Sequence, residues 1–277
     1  MSDWFLLPHL NALRIGGDDA AAFAHAQFTS KFPPPNPHGW QLTSWCNRKG
    51  RVVAVILARC HENNVDLIVP AVQFADFSKA LKMYAIGRQV SFEPAPAVAG
   101  SFSASGDTEI LATDADRSLA LDPAGAVEDT SATRDWQKRD VTAGIAWLAP
   151  ATSGRFLPQS LGLEERGGLS YQKGCYPGQE IVARVHYLGK TRERLMAFRQ
   201  SFDISAEPAT GGGEETPGDG SGDEIIDETG KVVGHTLNRL TDTFGNFGLA
   251  VISTELPEEA ALMAHGQALS LLLPESL

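Results

Sequence analysis

"YQKGCYPGQEIVARVHYLGK", Tyr171–Lys190, is the stretch on which the reading of this chain turns. It sets a cysteine, Cys175, in a glycine-rich loop, with Lys173 two residues before it. Pro177-Gly178 has the chemistry of a turn, and Gln179–Val185 can open a helix just after it. A thiol near a helix amino terminus and a cation is favoured as the thiolate. Glu180 acts the other way, because a nearby carboxylate opposes a second anion. Gly174 and Gly178 let the backbone pass close to a ligand. Taken alone, the loop admits two readings: a functional thiol, or a buried structural cysteine, since free cysteine behaves mostly as a small hydrophobe.

Around this loop the chain has 277 residues, 43% of them hydrophobic, enough for one large domain or two to three small ones. A net charge of -11 gives no general attraction to phosphate backbones or anionic membranes, so direct nucleic-acid binding is not expected. The one basic run that offers an exception spans Lys173–Arg194, with Arg184, Lys190 and Arg192 between. No apolar run approaches the ~20 residues that span a bilayer. The amino terminus, "MSDWFLLPHLNALRI", carries no basic leader and no amphipathic presequence, so a soluble, cytoplasmic protein without a membrane partner is expected. The three cysteines, Cys46, Cys60 and Cys175, are too widely spaced for a disulfide framework, and no histidine forms a ligand-spaced pair with them.

Periodicity gives an α+β order in the first part. "LNALRI" reads as a strand, and "GGDDAAAFAHAQFTSKF" as a helix capped by Asp18 or Asp19. A proline cluster, Pro33–Gly39, follows. "WQLTSWC" and "RVVAVILAR" read as strands joined by the turn "NRKG", and "VDLIVP" as another. "AVQFADFSKALKMYAI" is an amphipathic helix and "QVSFEP" a strand, which closes a first module at residues 1–94. A middle module, 95–189, holds two short strands in "EILATDA" and "SLALDP", a helix in "ATRDWQKRDVTAGIAWL" and the cysteine loop. A carboxy-terminal β-barrel, 190–277, is built from "RLMAFRQSF", "EIIDETGKVVGHTLNRL", "NFGLAVIS" and "QALSLLLP". Between them, Ala206–Glu224 is acidic, rich in glycine and reads as an exposed loop.

"KGCYPGQEIVAR" resembles the signature of the YgfZ family of folate-binding proteins, which are related to the glycine-cleavage T protein. The likeness extends through "GGDDAAAFAHAQFTS", "CNRKGRVVAVI", "GRFLPQSLGLEERGGLSYQKGC" and "TGKVVGHTLN". It implies three modules in a ring with a folate site near the centre. It also implies a role in iron–sulfur cluster assembly or repair, and in tRNA modification through an iron–sulfur enzyme. Cys175 and Lys173 become the candidate reactive pair. Gly174, Tyr176, Gly178, Gln179 and Glu180 complete the functional loop, and Trp136 matches a tryptophan near folate, where a flat indole can stack on a pterin. The expected cleft is lined by Trp136, by the Asn47, Lys49, Gly50 and Arg51 turn and by the Lys173–Glu180 loop. Lys49 or Arg51 would pair with the glutamate tail of tetrahydrofolate or a derivative.

Departures from the T protein separate the functional alternatives. Where that protein has an acidic pair after its turn glycine, this chain has Val52, Val53 and Ala54 after Gly50, so no carboxylate exchanges protons with an amine on folate. Thr142 stands where a glutamate precedes Ala143-Gly144, and Leu10 where relatives carry a second tryptophan. The first reading is therefore a folate-binding accessory protein for iron–sulfur clients, with Cys175 as its thiol. An aminomethyltransferase is the second, and a tRNA-binding protein the third.

Overall fold

The computed structural model describes residues 3–33, 39–103, 110–111, 114–201, 222–257 and 260–277. The acidic glycine-rich stretch, up to residue 221, lies outside the described residues, as do most of the proline cluster and part of "EILATDA".

The chain opens with β1 (Phe5–Leu6), β2 (Leu10–Gly16), α1 (Ala20–Gln27), β3 (Gln41–Cys46), β4 (Val52–His61), β5 (Asn64–Pro70), α2 (Ala71–Lys82) and β6 (Ser91–Pro94). It continues with β7 (Val98–Ser101), β8 (Ile110–Leu111), β9 (Asp114–Leu121), α3 (Thr130–Thr142) and α4 (Gln179–Leu188). The last part is all strand: β10 (Glu193–Ser201), β11 (Glu224–Asp227), β12 (Val232–Asp242), β13 (Gly245–Ser253), β14 (Leu262–Ala264) and β15 (Gln267–Leu272). Three sheets result. They are a five-stranded sheet ordered β3-β4-β5-β2-β6, a four-stranded sheet ordered β1-β7-β9-β8, and a closed barrel ordered β10-β13-β12-β11-β14-β15. Each pairing between these strands is antiparallel, so the α+β fold with its terminal barrel is as the sequence implies.

The five-stranded sheet shows why "VVAVIL" and "DLIVP" are apolar almost without alternation. One face, with Leu13, Ile15, Ala54, Ile56, Val65 and Leu67, packs on Phe23 of α1 and on Phe77 and Leu81 of α2. The other face, with Leu10, Ala12, Val55, Leu57 and Ile68, joins a core shared with Trp136, Leu163 and the barrel residues Leu237 and Leu249. A strand buried on both faces loses its period-two pattern.

Local chemistry moves several boundaries. Asp19 holds the N-cap position of α1, but its carboxylate accepts the Gln89 N–H (2.9 Å) instead of capping the helix. Helix α3 ends before "GIAWL", because Gly144 turns left-handed at φ +66 and the Arg166 guanidinium fills the space beside it. Strand β1 pairs with β7, so the first residues complete the four-stranded sheet. The short strands β7 and β14 carry too little pattern to be read.

Candidate functional site

Between Tyr171 and Leu188 the chain is fixed at several points. Lys173 runs its ammonium under the carboxyl end of α1 and donates to the carbonyls of His25 (2.5 Å), Phe28 and Ser30 (2.9 Å). Three acceptors require three hydrogens, so the nitrogen is the ammonium, and helix carbonyls are where a cation is favoured. Burial draws its pKa down to about 8, still above neutrality. The same nitrogen lies 5.1 Å from the centre of the Tyr176 ring. Tyr176 is buried, and burial pushes its hydroxyl up from the ordinary tyrosine range. Gly174 approaches the His25 ring, whose Nδ1 accepts the Phe32 N–H (3.1 Å). Lys173 is therefore a positioning residue, whose charge is engaged by α1 and not kept for a thiolate. Cys175 stands exposed between Lys173 and Tyr176.

The next turn joins two pieces of the sequence signature. Asn47 Oδ1 accepts the N–H groups of Lys49 (2.9 Å) and Arg51 (3.1 Å), which shapes the hairpin between β3 and β4. Gly178, at φ +79, lies directly on that hairpin. A Cβ there would fall 2.4 Å from the Asn47 carbonyl oxygen and 2.5 Å from the Gly50 Cα. Gly50, at φ +70, in turn faces Ile181 and Val182 of α4. Gln179 and Glu180 open that helix, where a carboxylate suits the positive end of the dipole. Lys49 is exposed, and Arg51 donates to the Arg155 carbonyl (2.9 Å).

The "FLPQ" and "QFTS" segments act as ties to this loop. Gln159 Nε2 donates to the Val182 carbonyl (2.9 Å) and to the Tyr171 hydroxyl (3.1 Å), and Tyr171 donates to Glu164 (2.8 Å). The His186 ring stacks on Tyr171 with centroids 3.7 Å apart. Thr29 Oγ1 donates to the Gly168 carbonyl (2.7 Å) and accepts the Ser44 N–H (2.9 Å), which links the end of α1 to β3 and to the approach of the loop.

A separate cleft opens between the five-stranded sheet, α3 and the barrel. It is a cavity of about 50 Å³ between His9 just before β2, Leu10 of β2, Pro70 and Val72 at the β5–α2 junction, Gln137 and Asp140 of α3, Trp147, and Asn238, Arg239 and Leu240 of β12. Asp140 Oδ1 accepts from Arg117 (2.6 Å) and Oδ2 from the Trp147 indole (2.8 Å). Among the described residues neither His9 ring nitrogen has a hydrogen-bond partner. Burial holds the imidazole below its ordinary pKa, with the charge of Asp140 opposing.

The residues expected to line one cleft take two places. The Asn47–Arg51 turn and the Lys173–Glu180 loop do come together, but they pack on each other and are not among the residues lining the cleft. Trp136 is buried behind the cleft wall, one residue from Gln137. One side of its indole carries the Arg117 guanidinium, 4.5 Å from the ring centre. Gly100 lies so close that a Cβ would meet the ring at 2.7 Å, and Phe5 packs edge-on at 6.0 Å. No face is left on which a pterin can stack. Sequence reading missed His9, Gln137, Asp140, Asn238 and Arg239, which come from distant strands and helices and form no motif. Only the position of His9, directly before the first long strand, marks it as a residue at a sheet end.

The three thiols differ in accessibility. Cys46 is sealed in β3 and burial pushes it up to about 12. Cys60 is half-buried, and burial and then Asp66 raise it from its ordinary value. Labelling of the native protein followed by peptide mapping is expected to modify Cys175 first, Cys60 next and Cys46 last. A Cys175 that labels after either of the others contradicts this arrangement.

Among the described residues no helix is long and apolar enough to cross a membrane. No family model matches the chain. An uncharacterized protein of Haemophilus influenzae is 28% identical over 222 residues, covering 75% of this chain and 77% of that protein. A protein of Colwellia psychrerythraea named tRNA-modifying protein YgfZ is 23% identical over 231 residues, covering 71% of each. The solved structure of glycine cleavage system aminomethyltransferase T from Bartonella henselae matches 99% of this chain and 86% of its own, with a TM-score of 0.71 at 12% identity, a likeness of fold. The chain is YgfZ-like in sequence and has the fold of aminomethyltransferase T.

Proposed function

We propose that the protein binds tetrahydrofolate or a derivative in the central cleft and acts as an accessory factor for iron–sulfur proteins, among them an enzyme that modifies tRNA. Cys175 is its working thiol and Lys173 fixes the segment that carries it. The observation that carries the reading is the cleft itself. It has apolar walls in Leu10, Val72 and Leu240 and a few polar groups at its edge, the kind of lining found in small-molecule sites. Such walls suit a flat heteroaromatic ring in their chemistry, and the indole of Trp136 backs them. The relative named as tRNA-modifying supports the tRNA context.

The accessory role is favoured over aminomethyl transfer by the carboxylates. Val52 and Ala54 are buried and apolar where a proton-exchanging acid would be needed. Asp140 reaches the cleft, but both of its oxygens are engaged by Arg117 and Trp147. Thr142 donates its hydroxyl to the Arg139 carbonyl (3.1 Å). One cysteine does not hold a stable cluster by itself, since clusters usually take four thiolates, so Cys175 serves transient ligation or thiol transfer.

Calorimetric titration with tetrahydrofolate and its formyl and methylene derivatives tests the ligand. Cys175→Ser tests the thiol. Because the side chain is exposed, thermal stability is expected to stay nearly unchanged, while support of iron–sulfur enzymes in cells lacking the endogenous protein is lost. A Ser variant that is active but less stable returns Cys175 to a structural role.

A further inference from the structure

His9 lines the central cleft with both ring nitrogens buried and, among the described residues, without a hydrogen-bond partner, although the residue as a whole keeps some exposed surface. A buried polar group left in this state opposes folding, and it is retained where something outside the chain completes it. Its place is fixed by the backbone. The His9 carbonyl accepts the Ala71 N–H (2.9 Å) and the Leu10 N–H donates to the Leu7 carbonyl (3.0 Å).

Three other polar side chains of the cleft already have partners. Asp140 is held by Arg117 and Trp147. Asn238 Oδ1 accepts the Leu249 N–H (2.9 Å). Arg239 pairs with Asp223 and contacts His265 (3.0 Å). The charged groups that face His9 are thus Asp140 from α3, with Arg117 of β9 paired to it, and Arg239 from β12, with Asp223 paired to it. The β5–α2 junction contributes only Pro70 and Val72.

We infer that His9 recognises the polar edge of the ring bound in the central cleft, as a neutral imidazole that donates through one nitrogen and accepts at the other. The chemistry it selects is a planar heterocycle whose edge alternates acceptor and donor, as the amide edge of a pyrimidinone does. The inference rests on the reading of the cleft as a folate site. Burial, which disfavours the imidazolium, keeps the acceptor nitrogen available near neutral pH.

The test is calorimetry with tetrahydrofolate on the full chain, together with ligand-free melting, for the wild type, His9→Leu and His9→Gln. His9→Leu is expected to weaken binding by at least about tenfold, the effect of losing hydrogen bonds in a water-poor site, while its ligand-free melting temperature stays level or rises because an unpaired polar group has been removed. His9→Gln, which keeps a donor and an acceptor, is expected to retain most of the affinity. If His9→Leu binds as the wild type does, the inference is overturned and the folate reading stands. If His9→Leu loses stability along with affinity and His9→Gln rescues neither, His9 is a structural residue and the inference is again overturned. If the wild type binds no folate, the folate reading itself falls and takes this inference with it.

Discussion

Asp140→Leu is expected to lower the stability of the protein by about 3–5 kcal/mol, the usual loss when one partner of a buried ion pair is removed. Its partner, Arg117, is fully buried, and the two are joined at 2.6 Å. Without the carboxylate, the buried guanidinium beside Trp136 loses its 2.6 Å ion pair, and the Trp147 indole loses its acceptor. Urea unfolding monitored by tryptophan fluorescence measures the effect. The double variant Arg117→Met, Asp140→Leu is expected to recover much of the loss, because it removes the buried cation along with its acid. An Asp140→Leu protein as stable as the wild type would show that the pair is not buried as described.

Gly178→Ala is the second large effect, about 2–5 kcal/mol. The left-handed backbone costs an alanine about 1–2 kcal/mol, and crowding in a packed site adds about 1–3 kcal/mol. The clash here is with backbone, at the Asn47 carbonyl and Gly50, and neither can swing aside as a flexible side chain can. Gly230 supplies the control. It has φ +81 and nothing within 4 Å of its would-be Cβ, so Gly230→Ala carries the conformational cost alone. If the two substitutions prove equally mild, the hairpin and the loop do not touch at Gly178.

Much of this architecture was legible because its causes are local. The strands of the five-stranded sheet announce themselves by branched apolar runs, the hairpin by "NRKG", and the barrel by strands that alternate with turns. The joining of the Asn47 turn to the cysteine loop came from a resemblance. Its physical cause, two glycines stacked back to back, lies 128 residues apart in the chain and has no period to betray it. Trp136 shows the opposite failure. An indole that can stack on a ligand can equally stack on a guanidinium, and only the positions of Arg117 and Gly100 decide between them. The cleft was invisible for a similar reason. His9, Asp140 and Arg239 become neighbours only when the five-stranded sheet, α3 and the barrel are assembled, and buried Asp140 looks like any other helix acid in the sequence.

Because Lys173 and Tyr176 hold their segment at both ends, the sulfur between them is reached from the native state without an opening step. The rate at which a reagent modifies Cys175 should then stay flat as urea is added below the unfolding transition. Cys46, sealed in its strand, is modified only as fast as the molecule opens. A protein that takes up or delivers something at Cys175 therefore competes with no reclosing event. The speed of exchange is set by encounter, and so by the partner's concentration and by its charge against an acidic surface.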